Sequence, residues 1–244
     1  MDRAVYRRMA EQEDRHWWFA GRREIIARLI ARALPQAARP RLLEVGCGTG
    51  GNLSLLSGYG ALDAVEYDEE ARRLATEKSG IEVMAGGLPG PLPVADATYD
   101  LVGLFDVLEH VEADVASLAA LRDKLSASGR LLVTVPALPW LWSAHDVSHH
   151  HFRRYTIASL SAAADEAGLA ILECGYFNTL LFPAIVATRL LKKTVGSDSA
   201  DDEMPPRPVN AALKRIFSAE SHLVGRVSLP VGTSLYLIAE RPHA

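Results

Sequence analysis

The sequence predicts an α/β fold built on a seven-stranded, mostly parallel sheet whose last strand runs antiparallel. Three observations carry that prediction. Short apolar runs alternate with helical segments from Arg41 to Cys174. A glycine-rich turn, Gly46-Cys47-Gly48-Thr49-Gly50, follows the first run. A separate apolar run, Ser234 to Glu240, comes only after a long helical interval. Alternating strands and helices require right-handed crossovers, which place helices on both faces of the sheet.

The elements follow in order. Residues 1–40 form a helical arm from about Asp2 to Leu34, in which Ile25, Ile26, Leu29, Ile30, Ala33 and Leu34 recur at helical spacing. Pro35 and Pro40 bracket its end. A core over 41–175 has strands at Leu42–Val45, Ala61–Glu66, Ile81–Met84, Tyr99–Phe105, Arg130–Val135 and Ala170–Cys174. Helices are expected at Gly51–Ser57, Glu69–Lys78 and Asp114–Ser126, and from Thr156 to Ala167, where Gly168 stops the last of them. A helical insertion over 176–230 comprises Tyr176–Lys193, a mobile acidic and proline-rich loop at 194–208, and an amphipathic helix over Asn210–Val227. Residues 231–244 supply the last strand and a tail.

Composition excludes some functions. The chain has 244 residues, 49% hydrophobic and 23% charged, and a net charge of −4, so it lacks the basic footprint of a nucleic-acid binder. Its two cysteines, Cys47 and Cys174, have no metal-ligand spacing and no disulfide framework. The charged N-terminus is not a secretory signal, and a cytoplasmic location is expected. Leu180–Leu191 is too short to span a bilayer.

The central signal is Leu42-Leu43-Glu44-Val45-Gly46-Cys47-Gly48-Thr49-Gly50-Gly51-Asn52. Glycines let a backbone turn sharply and approach a ligand closely. Gly46, Gly48 and Gly51 also satisfy the dinucleotide spacing, which leaves a nicotinamide-dependent oxidoreductase as an alternative. Glu44 argues against it, because a carboxylate beside the loop repels a pyrophosphate and attracts an ammonium. The second strand ends Glu66-Tyr67-Asp68, where Glu66 suits ribose hydroxyls and Asp68 suits a helix cap.

The stretch Glu44-x-Gly46-x-Gly48-x-Gly50 resembles the first motif of class I S-adenosylmethionine-dependent methyltransferases, which have a Rossmann-like core. The later segments follow in that family's order. The resemblance implies S-adenosylmethionine as cofactor, held by Glu44, Gly46, Cys47, Gly48, Gly50 and Asn52, with Glu66 on the ribose and Tyr67 against the adenine. Where the family often has an Asp facing the adenine amine, this chain has Gly87, so contacts there fall to the backbone of Gly87 and Leu88. The end of the fourth strand, Phe105-Asp106, resembles the segment that passes beneath the sulfonium and lines the acceptor pocket.

Methyl transfer to oxygen or nitrogen can need a base, and histidine titrates in the useful range. His110 follows the fourth strand. Four of the eight histidines lie in Trp140-Leu141-Trp142-Ser143-Ala144-His145-Asp146-Val147-Ser148-His149-His150-His151, followed by Phe152-Arg153-Arg154-Tyr155. Together with His16-Trp17-Trp18-Phe19, this resembles a bacterial, type 11-like methyltransferase subgroup. His151 is read as base, with His110 and Asp146 as further catalytic candidates and Trp142, His145, Arg154 and Tyr155 on the acceptor. The alternative is that Asp146, Arg154 and Tyr155 only lock the loop. A metal held by His145, Asp146 and His151 is conceivable but not expected. Trp18 or Phe19 is read as a lid, with Arg22 meeting the methionine carboxylate.

The acceptor is expected to be a small molecule or a glycan or lipid-linked intermediate. The insertion, with Lys192-Lys193, would suit peripheral membrane contact, a homodimer contact or a cap over the pocket. A catalytically silent partner subunit is the remaining alternative.

Overall fold

The computed structural model describes residues 10–34, 39–195 and 204–242. Seven strands form one sheet in the order β3-β2-β1-β4-β5-β7-β6. They are β1 (Arg41–Val45), β2 (Ala61–Glu66), β3 (Val83–Ala85), β4 (Tyr99–Phe105), β5 (Leu125–Pro136), β6 (Ala170–Phe177) and β7 (Ser234–Glu240). The first five pair in parallel, and β7 lies antiparallel between β5 and β6.

Eight described helices surround the sheet: α1 (Trp17–Ala33), α2 (Leu53–Ser57), α3 (Glu69–Ser79), α4 (Asp114–Lys124), α5 (Ala144–Ser148), α6 (Ile157–Glu166), α7 (Phe182–Val195) and α8 (Arg207–Ala219). Successive strand residues face opposite sides, so neighbouring leucines feed different cores. Leu43 and Leu131 pack with Leu118, Leu121 and Leu160 beneath α4 and α6. Leu42 and Leu132 pack on the other face with Ile25, Ile26 and Leu29 of α1 and Phe217 of α8.

Several boundaries differ from expectation. The described part of the arm is not one helix: residues 10–12 are helical, residues 13–16 turn, and α1 starts at Trp17, where the His16 side chain accepts from the Trp18 amide, while residues 1–9 fall outside the described set. A second cap comes from α8, since Trp17 N donates to Asn210 Oδ1 at 2.8 Å. The helix expected to reach Ser126 ends at Lys124, because Leu125 turns extended and pairs with Tyr99. Tyr176 and Phe177, assigned to the insertion, continue β6 against Leu235 and Ser234. The final insertion helix ends at Ala219, followed by a 3-10 turn over Glu220–His222. Most of the loop expected at 194–208 lies outside the described residues.

Candidate active site

The sheet order places β1 between β2 and β4, whose following connections leave on opposite sides. A crevice opens at such a switch point, beyond the carboxyl ends of the strands. The glycine turn lies there. Gly46 has φ 72°, and a Cβ on it would lie 2.6 Å from Val107 Cγ2. Gly48 has φ 55°, and a Cβ on it would meet nothing within 4 Å. Gly50 packs against Ala75 of α3. The turn thus combines left-handed backbone with bare space above it.

Two carboxylates frame that space. Glu66 Oε2 accepts from Gly48 N at 2.8 Å and Oε1 from Asp68 N at 2.9 Å, which fixes its plane and leaves lone pairs over. Glu44 is 1% exposed. Its Oε1 accepts from Asn52 Nδ2 at 2.9 Å, while Oε2 has no hydrogen-bond partner. Burial pushes the Glu44 carboxyl up to about 8, against the lowering effects of Asn52 and Arg22. Asp68 caps α3 as expected, accepting from Ala71 N at 2.9 Å. Tyr67 stands exposed, its ring over Gly87, where a side chain would meet it at 3.0 Å. Cys47 is buried, and burial raises its thiol.

Such a crevice fits an amino-acid-bearing nucleoside. An ammonium at Glu44 Oε2 would partner a buried oxygen that lacks one, whose desolvation otherwise costs free energy. Gly48 offers the approach a Cβ would close, and Glu66 faces ribose hydroxyls. The residues present therefore fit S-adenosylmethionine.

Beside the crevice lies a chamber of about 430 Å³. Trp17, Trp18 and Phe19 of α1 and Leu181, Ile185 and Leu213 supply its apolar wall. Phe105, Asp106 and Arg22 also line it, with Arg22 close enough to lower the Glu44 carboxyl of the crevice, and Glu109, His110, His145, His149, His151 and Arg154 close its polar end. Arg22 is 6% exposed and ion-paired with Asp106, donates to Thr134 Oγ1 at 3.4 Å, and lies 5.1 Å from the Trp18 ring centroid. Its Nε has no partner.

His151 is held from behind. Its Nδ1 lies 2.9 Å from Asp146 Oδ1, and Arg154 Nε donates to the same oxygen at 2.7 Å. Ser143 N donates to Asp146 Oδ2 at 2.9 Å. Burial alone would raise the Asp146 carboxyl, but His151, Arg154 and Ser143 outweigh it and hold it well below the usual carboxylate range. Burial lowers His151 against the pull of Asp146. Burial, with His151 and His149 nearby, brings His110 down to about 3. Glu109 is raised by burial and by Asp106.

The sequence candidates thus divide. Asp146 is fully enclosed and does not line the chamber; it holds His151 and Arg154 instead of facing an acceptor. Tyr155 was expected on the acceptor, but it is 2% exposed in the core, where its hydroxyl donates to Asp114 Oδ2 at 3.1 Å. Trp142 is 42% exposed and also outside the chamber. His145 and Arg154 do line it.

One contact was missed altogether. Glu13 is 3% exposed, accepts from Thr49 Oγ1 at 2.9 Å, and pairs with Lys78 Nζ at 2.9 Å. It brings the arm onto the glycine turn at Gly51. Nothing distinguishes Glu13 from its charged neighbours in the sequence, so only long-range contact identifies it. Among the described residues, no helix is long and apolar enough to cross a membrane.

Comparison with known proteins agrees with this geometry. A family profile described as "Methyltransferase domain" matches residues 18–174. A probable S-adenosylmethionine-dependent methyltransferase of Mycobacterium tuberculosis is 28% identical over 168 residues, 67% of this chain and 60% of that protein. The chain therefore spans about 60% of the length of that curated relative. Among solved structures, a putative methyltransferase of Haloferax volcanii, in complex with the Trm112 methyltransferase activator, superposes with a TM-score of 0.66 at 19% identity, covering 99% of this chain and 96% of that one. Geranyl diphosphate C-methyltransferase from Streptomyces coelicolor, solved with Mg2+, geranyl diphosphate and S-adenosyl-L-homocysteine, gives 0.61 at 12% identity over 89% and 78%. The profile covers well over half of the chain, which therefore belongs to the methyltransferase-domain family, in the class I S-adenosylmethionine-dependent group.

Proposed function

We propose that this protein transfers a methyl group from S-adenosylmethionine to an oxygen or nitrogen of a small-molecule, glycan or lipid-linked acceptor seated in the 430 Å³ chamber. The observation that carries this reading is the buried, partnerless Oε2 of Glu44 beside the open backbone of Gly48. It is an acidic pocket whose carboxyl ionises against an α-ammonium and is unsuited to a diphosphate. The bound cofactor supplies an electrophilic methyl, so the protein's part is alignment and exclusion of water.

In this reading Glu44, Gly46, Cys47, Gly48, Gly50 and Asn52 shape the amino-acid end of the crevice. Glu66 takes the ribose, while Tyr67, Gly87 and Leu88 border the adenine. Phe105 and Asp106 separate cofactor from acceptor. Trp18 is assigned to cover the junction and Arg22 to meet the methionine carboxylate, a role that its buried, partnerless Nε supports. The aromatic wall takes the apolar part of the acceptor. Its nucleophile lies toward His110 and His151, with Asp146 fixing the His151 ring.

The described part of the arm, from Gln12 to Arg22, then acts as cover for a 41–175 core, and Leu181, Ile185 and Leu213 of the insertion close the chamber from the far side. Exposed Leu190 and Leu191 within that insertion, with exposed Trp140 beside Phe182, suit an acceptor presented at a membrane surface. Expression in the cytoplasm fits this arrangement.

Calorimetric titration with S-adenosylhomocysteine and, separately, with NAD tests the cofactor. Saturable binding of the first and none of the second is expected; the reverse would sink the reading. Transfer of labelled methyl to classes of hydroxylated and aminated acceptors then tests the reaction.

A further inference from the structure

The polar end of the chamber carries a cluster that alignment of cofactor and acceptor does not require. A carboxylate oxygen of Glu109 and one ring nitrogen each of His110 and His151 lie within 4.8 Å of one another. Glu109 and His110 occupy the 3-10 turn after β4, and His151 follows α5. The two segments are tied together, since Phe152 N donates to Glu109 O at 2.8 Å. The His110 and His151 rings meet edge to face, 4.6 Å between centroids.

Two further observations point outward from this cluster to a ligand. Glu109 is 1% exposed, and its Oε2 has no hydrogen-bond partner. A buried carboxylate oxygen in that position demands a proton or a cation. His151 is pre-set: Asp146 engages Nδ1 at 2.9 Å, and Arg154 holds Asp146 in turn at 2.7 Å. That leaves Nε2 as the ligating atom, with the carboxylate-to-imidazole support that ligating histidines commonly have.

We propose that Glu109, His110 and His151 bind a first-row divalent cation at the acceptor end of the chamber. Two imidazoles and one carboxylate favour Zn2+ and its neighbours over Mg2+ or Ca2+, which prefer all-oxygen sites. Three protein ligands leave a coordination position open to the cavity, as in catalytic zinc sites. Asp146 is a positioning residue here, not a ligand.

The consequence for chemistry rests on the methyltransferase reading. An acceptor hydroxyl coordinated at the open position loses its proton to solvent. Its oxygen electron pair then forms the new O–CH3 bond, and the pair of the broken S–CH3 bond stays on sulfur, giving a neutral thioether. Charge and atoms balance with no further reactant.

The test uses the full chain, stripped with a chelator and desalted, then titrated with Zn2+ by calorimetry. One ion per chain is expected. Glu109→Gln and His151→Ala should each weaken uptake at least tenfold, and Asp146→Asn by about 10–100-fold. Retained binding of S-adenosylhomocysteine in each variant shows that it is folded. Should a variant not fold, Co2+ loading of the wild type replaces it: two of the eight histidines should show paramagnetically shifted imidazole resonances. Wild-type protein that binds S-adenosylhomocysteine yet takes up neither Zn2+ nor Co2+ would overturn the proposal. So would uptake that survives Glu109→Gln and His151→Ala alike. Absence of S-adenosylhomocysteine binding sinks the methyltransferase reading instead, and the metal titration remains readable by itself.

Discussion

Arg22 of α1 is ion-paired with Asp106 at the end of β4, with side chains only 7% and 19% exposed. The pair joins the arm to the sheet at the junction of crevice and chamber. Its cation also faces a crowd of carboxylates, since Arg22 lowers both Glu44 and Glu109.

Replacing Arg22 with Ala leaves Asp106 without its partner in a site with little water. A broken buried pair costs about 3–5 kcal/mol. Partial exposure of Asp106 reduces this, so a loss of about 2–4 kcal/mol in unfolding free energy is expected. Affinity for S-adenosylhomocysteine should fall with it. Arg22→Lys restores the charge but neither the Thr134 contact nor the stacking on Trp18, so it should recover stability only in part. Denaturant unfolding and calorimetry measure both effects, and an Arg22→Ala protein unchanged in each would remove Arg22 from the account.

Glu44 makes the protein pH-sensitive in a defined direction. Burial pushes its folded carboxyl up to about 8, from an ordinary value of 4.5. A raised folded value means stability is full below about 4.5 and declines as pH rises through 8. Glu44→Gln should flatten that decline. Ligand binding runs the opposite way, because an ammonium favours the ionised carboxylate. Affinity for S-adenosylhomocysteine should therefore rise between pH 6.5 and about 8, with protons released. Calorimetry in buffers of different ionisation enthalpy counts those protons; zero release would disprove the Glu44–ammonium contact.

Gly46 and Gly48 should fail differently when given a methyl group. Both have positive φ, 72° and 55°, and an L side chain there costs roughly 1–2 kcal/mol. Gly46→Ala adds a 2.6 Å collision with Val107 and should destabilise the fold outright. Gly48→Ala meets nothing in the protein, so it should keep most of its stability yet lose more than tenfold in cofactor affinity. A folded Gly48→Ala protein that keeps its full affinity for S-adenosylhomocysteine would show that the space over Gly48 is not where the ligand lies.

Sequence reasoning reached these glycines because local geometry dictates them. β2, β4 and β7 match their apolar runs to the residue; in β4 and β7, burial on both faces leaves a nearly continuous signal. Glu66 and Asp68 were placed by their strand-end and cap positions. Tyr155 was misread because a motif gives order along the chain, not direction: its neighbour Arg154 faces the chamber, while Tyr155 itself turns to Asp114 in the core. Nothing in the sequence separates Glu109 from an ordinary charged neighbour of His110. Its isolation becomes visible only when β4, β5 and the His151 segment enclose it. Asn210 lies 193 residues from the Trp17 amide it caps, a distance no local pattern spans.

Gly21 tests how tightly the insertion is bound to the arm. It sits within α1, where Gly→Ala ordinarily stabilises a helix by about 1 kcal/mol. Here a Cβ would lie 2.7 Å from Phe217 Cδ1 of α8, and Phe217 is fully buried with Phe177 stacked beside it. Overpacking of this kind costs about 1–3 kcal/mol, so the steric effect should win and Gly21→Ala should be net destabilising. The strain falls on α8, which also caps α1 through Asn210 and, through Leu213, lines the chamber. Loss of acceptor methylation should therefore exceed loss of S-adenosylhomocysteine affinity, whose crevice lies on the other side of Arg22. A Gly21→Ala protein more stable than wild type would show that α8 yields freely, and that the chamber wall is not fixed by its packing on α1.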